Sequence, residues 1–91
     1  MGKKELRAAL LEVVENQISS GDPPETRQTL ERLVNSGYSR KIAVLMIASV
    51  LVKELWDMQK EQRVFDRARF IADLESLPQS WEAMGELPGA D

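Results

Sequence analysis

Apolar residues recur every three or four positions along much of the chain, the spacing that gives an α-helix one buried face. The first such stripe predicts a helix over residues 4–19 and consists of Leu6, Leu10, Val13, Val14 and Ile18. Gly21 follows at the place where a helix commonly ends on a left-handed residue. No segment alternates apolar and polar residues with a period of two, so the sequence predicts no strand.

A second helix is predicted by the segment Asp22-Pro23-Pro24-Glu25. Asp22 is a favoured N-cap residue, Pro23 suits the first helical position, and Glu25 stands at the third position of a capping box. The helix extends to about residue 36, and its expected inner face is Thr26, Leu30, Leu33 and Val34. Gly37 is the expected left-handed residue after its end.

The third predicted helix covers about residues 40–62, with Ser39 as its N-cap. Residues 42–52 are apolar around the whole circumference, apart from Ser49, so other helices must cover this half on most sides. The following half is amphipathic. Its expected apolar face is Leu55, Trp56 and Met58, and its expected polar face is Glu54, Asp57, Lys60 and Glu61.

A fourth helix is predicted over residues 67–77, capped by Asp66 and ended by Pro78. Ser80 is expected to cap one further turn over residues 81–84, followed by a flexible tail. The fold class is therefore all-α. We expect one compact helical domain at residues 1–78, with four main helices and a short fifth arranged around the apolar helix at 40–62, and a turn with a flexible tail at 79–91.

The composition removes most kinds of catalytic and metal site. The chain of 91 residues contains no histidine and no cysteine, so it lacks the commonest general base, the commonest metal ligand and any thiolate. Glu12 and Glu15 lie one turn apart, but both fall on the polar side of the first helix, where charged side chains are ordinary. We therefore predict no enzymatic activity, no cofactor and no metal.

A nucleic-acid binder is an alternative, because residues 26–52 resemble a helix-turn-helix with Arg40 and Lys41 at the start of its second helix. A recognition helix must present polar side chains to the bases, whereas the residues after Lys41 are apolar. The net charge of −3 also disfavours a polyanionic partner. Nucleic acid is the weaker of the partner hypotheses.

The sequence shows no targeting signal and no membrane span. Its charged start, Met1-Gly2-Lys3-Lys4-Glu5, is unlike a signal peptide. The longest apolar run, residues 42–52, would extend about 16 Å as a helix, which is about half of the hydrocarbon core of a bilayer. We expect a cytoplasmic protein without a membrane segment.

Several short motifs together resemble an uncharacterised family of small bacterial helical proteins. The motifs are Glu15-Asn16-Gln17, Asp22-Pro23-Pro24-Glu25, Arg32-Leu33, Gly37-Tyr38-Ser39, Ala43, Ile47, Val50 and Phe65-Asp66. The resemblance spans about residues 6–78 and implies an all-helical fold and no particular activity. Many members carry histidines on the inner faces of the first and third helices, and this chain has none, so the resemblance implies no metal site here.

A structural or protein–protein interaction module is the function that remains. Four helices leave a surplus of apolar surface, and Trp and Met are enriched at interfaces. The expected partner surface, for a second copy of the chain or for another protein, is Val52, Trp56, Met58 and Trp81. The alternative is that Trp81 folds over Trp56 and closes the core, since large apolar patches are uncommon on monomers.

Gln17 is the one polar residue at the centre of the first apolar stripe. A buried amide needs hydrogen-bond partners. We expect Gln17 to be buried and to bond the backbone at the end of a neighbouring helix, with contact to a ligand as the alternative.

Overall fold

The computed structural model describes residues 3–84 of the chain, which fold into five helices with no strand among them. The helices are α1 (Lys3–Ser20), α2 (Pro24–Asn35), α3 (Arg40–Glu61), α4 (Arg67–Glu75) and α5 (Gln79–Met84). A Cα radius of gyration of 12.5 Å is that of one compact domain of this length. The predicted all-α, single-domain fold is confirmed. The predicted flexible tail, from Gly85 onward, lies outside the described residues.

α3 lies at the centre of the bundle and contacts α1, α2 and α4. The buried residues of its apolar half are Ala43, Val44, Met46, Ile47, Ala48, Ser49, Val50, Leu51 and Val52. The side chains that complete the core around it are Leu10, Val14, Ile18, Leu30, Leu33, Phe70, Leu74 and Leu77. The apolar circumference of this half predicts contact with other helices on most sides, and α1, α2 and α4 make those contacts.

Most helix ends are formed by the residues that the sequence indicates. Gly21 and Gly37 follow α1 and α2 with φ values of +71° and +106°, which favour glycine because it has no Cβ. The N–H of Ile42 donates to Ser39 Oγ at 3.2 Å. Asp66 Oδ1 accepts the corresponding N–H of α4 at 3.1 Å. These four predictions are confirmed.

Two predicted caps are wrong. α2 begins at Pro24 with Pro23 as its N-cap, and no side chain bonds the N–H groups of its first turn. Asp22 is one residue too early to cap the helix, because the two prolines occupy the N-cap and first helical positions. Ser80 lies inside α5 instead of preceding it. The short fifth helix therefore starts two residues earlier than expected.

The predicted inner faces of α1 and α2 are correct except at three positions. Leu6 and Val13 of α1 and Val34 of α2 are exposed. Thr29, which was not predicted to be buried, is buried in α2, whereas Val34 is not. Side chains at 26, 29, 30 and 33 form the buried stripe of α2, which packs against α1, α3 and α4, and Val34 lies outside that stripe.

The second half of α3 is rotated relative to the prediction. Glu54, expected on the polar face, has no exposed surface, whereas Leu55 and Trp56 face solvent. The cause is a partner beyond the end of the helix. Arg63 forms an ion pair with Glu54, and this pairing allows the carboxylate to take the inner position.

Two arginines of α2 hold the carboxyl ends of neighbouring helices. Arg27 donates to the last carbonyl oxygens of α1 at 2.7, 3.0 and 3.1 Å. Arg32 donates to the carbonyl oxygens of Leu77 and Leu74, at 2.7 and 3.1 Å, at the end of α4. The last carbonyl groups of a helix have no partner within it, so these bonds fix α2 between α1 and α4.

Candidate interaction surfaces

The four residues predicted as a partner surface do not form one surface. Val52 is only 6% exposed, so its place in that surface is wrong: it lies in the half of α3 that other helices cover. Met58 is half-buried. Trp81 is partly buried and packs against the core. Trp56, with 64% of its surface exposed, is the member that is widely accessible.

Trp56 stands beside Leu55 in the second half of α3. Leu55 is 42% exposed, so two consecutive residues of α3 present apolar side chains to solvent, in directions about 100° apart around the helix. Trp81 does not shield Trp56, since it packs against the core while Trp56 stays in solvent. The alternative in which the two tryptophans close the core together is therefore wrong.

Gln17 is bound within the fold. It is half-buried, and its Oε1 accepts a hydrogen bond from Thr26 Oγ1 at 3.0 Å. Thr26 is completely buried in the first turn of α2. Gln17 thus bonds at the end of a neighbouring helix, as expected, but to a side chain where backbone was expected. This bond accounts for the amide oxygen without a ligand.

An open groove of about 460 Å³ lies between α1 and the first half of α3. Its lining residues are Arg7, Leu11, Glu15, Arg40, Lys41, Val44 and Leu45. Leu11, Val44 and Leu45 form an apolar floor, and the charged side chains form the rim. No spacing along the sequence indicates this groove, because it is formed by two helices that are distant along the chain.

The rim of the groove is predominantly positive. Arg40 donates to both carboxylate oxygens of Glu15, at 2.8 and 2.9 Å, and this pairing lowers the pKa of Glu15 below its ordinary value. Among residues 4–81, whose side chains the structure describes, no salt bridge involves Arg7 or Lys41. Two positive charges are therefore left over at the rim after Glu15 is paired.

Glu54 anchors a cluster of charged residues that sequence analysis also missed. Its Oε2 accepts hydrogen bonds from Arg63 Nη1 at 2.7 Å and from the N–H of Asp66 at 3.0 Å. Arg63 also donates to Glu61 at 2.6 Å. The pKa of Glu54 is lowered, mainly by the hydrogen bond from the Arg63 guanidinium. Burial raises this pKa, and the hydrogen bond from the Asp66 N–H lowers it further. The cluster ties the end of α3 to the start of α4, which is a structural role.

In residues 3–84, no group of three or more His, Cys, Asp or Glu side chains is placed to hold a metal ion. No helix in this range is long and apolar enough to cross a membrane. The two candidate interaction surfaces are the exposed residues Trp56 and Leu55 and the groove between α1 and α3.

The start of α3 offers little to a nucleic acid. Ala43, Val44, Met46 and Ile47 are all buried, so they present nothing to base edges. The guanidinium of Arg40 is occupied by Glu15. Nucleic-acid binding through residues 26–52 stays an alternative prediction. The start of α3 lacks the polar face with which a recognition helix contacts the bases.

Comparisons with known proteins leave the resemblance to small bacterial helical proteins as a prediction. No protein-family model, curated protein or solved structure matches this chain.

Proposed function

We propose that this protein is an interaction module, not an enzyme, and that it binds another protein by inserting Trp56 into an apolar pocket of that partner. The observation that carries the proposal is the 64% exposure of Trp56 beside the exposed Leu55. Tryptophan is enriched among the residues that contribute most to binding energy, because it combines a large apolar area with few rotatable bonds.

The helix beneath Trp56 gives the side chain a rigid support. α3 is held by contacts with α1, α2 and α4. Glu54 precedes Trp56 by two residues, so it lies on the opposite side of the helix, where it is fully buried and paired with Arg63. A side chain presented by a rigid element loses little conformational entropy when it binds. The exposed apolar area that Trp56 would remove from water is therefore available to favour association.

The small size of this surface favours a pocket on a partner over a flat dimer interface. Two side chains expose far less area than the roughly 800 Å² per partner that a standard stable interface buries. An isolated tryptophan beside one leucine is better suited to act as a single anchor. Self-association through Trp56 is the competing outcome of the experiment.

The experiment uses Trp56→Ala with Val64→Ala as its matched control, because Val64 is also an exposed apolar residue, at 83%. Proteins captured from a lysate by the wild type are identified, purified and titrated by calorimetry against the three forms. Trp56→Ala should weaken the direct binding by at least about tenfold, equivalent to 1.4 kcal/mol. Val64→Ala should change it less than twofold.

A second readout locates the indole. The chain has two tryptophans, so Trp81→Phe leaves Trp56 as the sole tryptophan, and partner binding should shift its fluorescence to shorter wavelength as the indole is desolvated. Equal binding by wild type and Trp56→Ala would contradict the proposal. Sedimentation equilibrium provides the other contradicting outcome. If the wild type formed a dimer that Trp56→Ala abolished, Trp56 would bind a second copy of the chain and not another protein.

A further inference from the structure

The groove between α1 and α3 has the length of a short helical segment. Arg7, Leu11 and Glu15 follow one another at successive turns of α1, and eight residues of helix extend about 12 Å. Arg40 at the start of α3 faces Glu15, so Lys41 lies near one end of the groove and Arg7 near the other. Two turns of a third helix fit along this line.

The charge of the groove is opposite to that of the whole chain. The protein carries a net charge of −3, yet the groove is lined by three basic residues and a single acidic one. Glu15 is held by Arg40 through two hydrogen bonds. Arg7 and Lys41 are left to interact with a negatively charged occupant, one toward each end of the apolar floor.

From this shape and charge we propose that the groove binds an amphipathic helix of a partner protein whose apolar face is flanked by Asp or Glu. The groove is open along one side. A helix laid in it places its apolar side chains on Leu11 and Leu45 and keeps its polar face in water, which is the usual mode of helix-in-groove recognition. An alkyl chain of a lipid would leave its own outer side exposed to water.

A second groove provides an internal comparison. It has a similar volume, about 450 Å³, and is lined by Leu30, Glu31, Val34, Asn35 and Arg40. Its basic residue, Arg40, is already bound to Glu15, so this groove has no free positive charge and no preference for an acidic occupant. Trp56 lines neither groove, and the proposal therefore stands or falls independently of the function proposed for Trp56.

The test uses two synthetic helical peptides with the same stripe of leucines, one flanked by Glu and the other by Lys. Fluorescence anisotropy of the labelled peptides gives their affinities for the full chain. The Glu-flanked peptide should bind at least about tenfold more tightly. Arg7→Glu and Lys41→Glu should each weaken it several-fold. Lys60→Glu, the same charge change at an exposed position of α3 outside the groove, should leave it unchanged.

Circular dichroism of each variant checks that charge reversal at these surface positions leaves the fold intact. Two-dimensional NMR should place the shifted amides of the wild type along α1 and the first half of α3. Equal affinity for the two peptides, or no binding up to about 1 mM, would overturn the proposal. If Lys60→Glu weakened peptide binding as much as Arg7→Glu and Lys41→Glu, the preference would come from the charge of the whole protein, which would contradict a specific groove. If dodecanoate shifted the same amides and bound more tightly than the Glu-flanked peptide, the occupant would be a lipid chain and the proposal would be wrong.

Discussion

Glu54 shows how one residue can occupy a position that its type makes unfavourable. An unpaired carboxylate without exposed surface would be strongly destabilising. Here Arg63 and the N–H of Asp66 together satisfy it at 2.7 and 3.0 Å. The second half of α3 can therefore turn an acidic side chain inward and leave Leu55 and Trp56 in solvent.

Removal of this carboxylate should be costly. Glu54→Ala leaves Arg63 and the Asp66 N–H without their acceptor, and breaking such a partly buried pair is expected to lower the free energy of unfolding by about 2–3 kcal/mol. Glu61 provides the control, because it also bonds Arg63 but is exposed. Glu61→Ala should cost much less than Glu54→Ala, because an exposed ion pair is screened by water. Urea denaturation measures both, and equal losses in the two variants would refute the role assigned to Glu54.

The burial of Glu54 could not be predicted from the hydropathy of α3. Hydropathy assigns a glutamate to the outside and a tryptophan to the inside of an amphipathic helix. The pairing that reverses this order depends on Arg63, which lies beyond the end of α3. A spacing of nine residues across a helix end carries no recognised signal, so the rotation of this half of the helix could not be predicted.

At the scale of elements, the helix ends are where local sequence is most informative. Gly21, Gly37, Ser39 and Asp66 all act within a few residues of their own positions, and all four were predicted correctly. The arginines of α2 are different. Arg32 bonds carbonyl groups more than forty residues away, and only the packed fold brings those groups within its reach.

The turn between α2 and α3 gives a test of one such local device. Gly37 has φ of +106°, and a Cβ placed there would meet no atom within 4 Å. The cost of Gly37→Val is therefore a backbone cost, about 1–2 kcal/mol for an L-residue held at positive φ. Gln28→Val, in the exposed interior of α2, should cost only about 0.5 kcal/mol. Thermal unfolding compares them, and an unchanged Tm for Gly37→Val would contradict the left-handed assignment.

At the scale of the whole molecule, the sequence predicts the fold class better than the surfaces. The apolar circumference of residues 42–52 requires a covered central helix, and this physical demand has few solutions in a short all-helical chain. The groove between α1 and α3 depends on how those two helices are juxtaposed. Arg7 and Lys41 come to line one groove only in the folded chain, and no spacing along the sequence marks them as neighbours.

The charge composition also determines how the whole molecule should respond to pH. The chain has no histidine and no cysteine, so no side chain ordinarily titrates between about pH 5 and 8, and stability should be nearly constant there. Partners in the folded state lower the pKa of Glu15, Glu54, Asp57 and Glu61. A lowered pKa contributes stability that is complete above the unfolded-state pKa and is lost as the pH falls through the folded-state pKa.

Glu54→Gln separates the buried pair from the surface pairs in this response. Glutamine resembles the protonated carboxyl group, so the variant should be less stable than the wild type at pH 7, where Glu54 is charged and bound to Arg63. The difference in unfolding free energy should narrow as the pH falls below about 4.3, the ordinary pKa of glutamate. Urea denaturation at intervals between pH 7 and 3 measures this difference. A gap that stays constant with pH would mean that the charge of Glu54 contributes nothing to the fold. Because the pKa of Glu61 is also lowered, Glu61→Gln should show the same narrowing to a smaller extent, and a larger narrowing in Glu54→Gln than in Glu61→Gln would assign most of the acid sensitivity to the buried carboxylate.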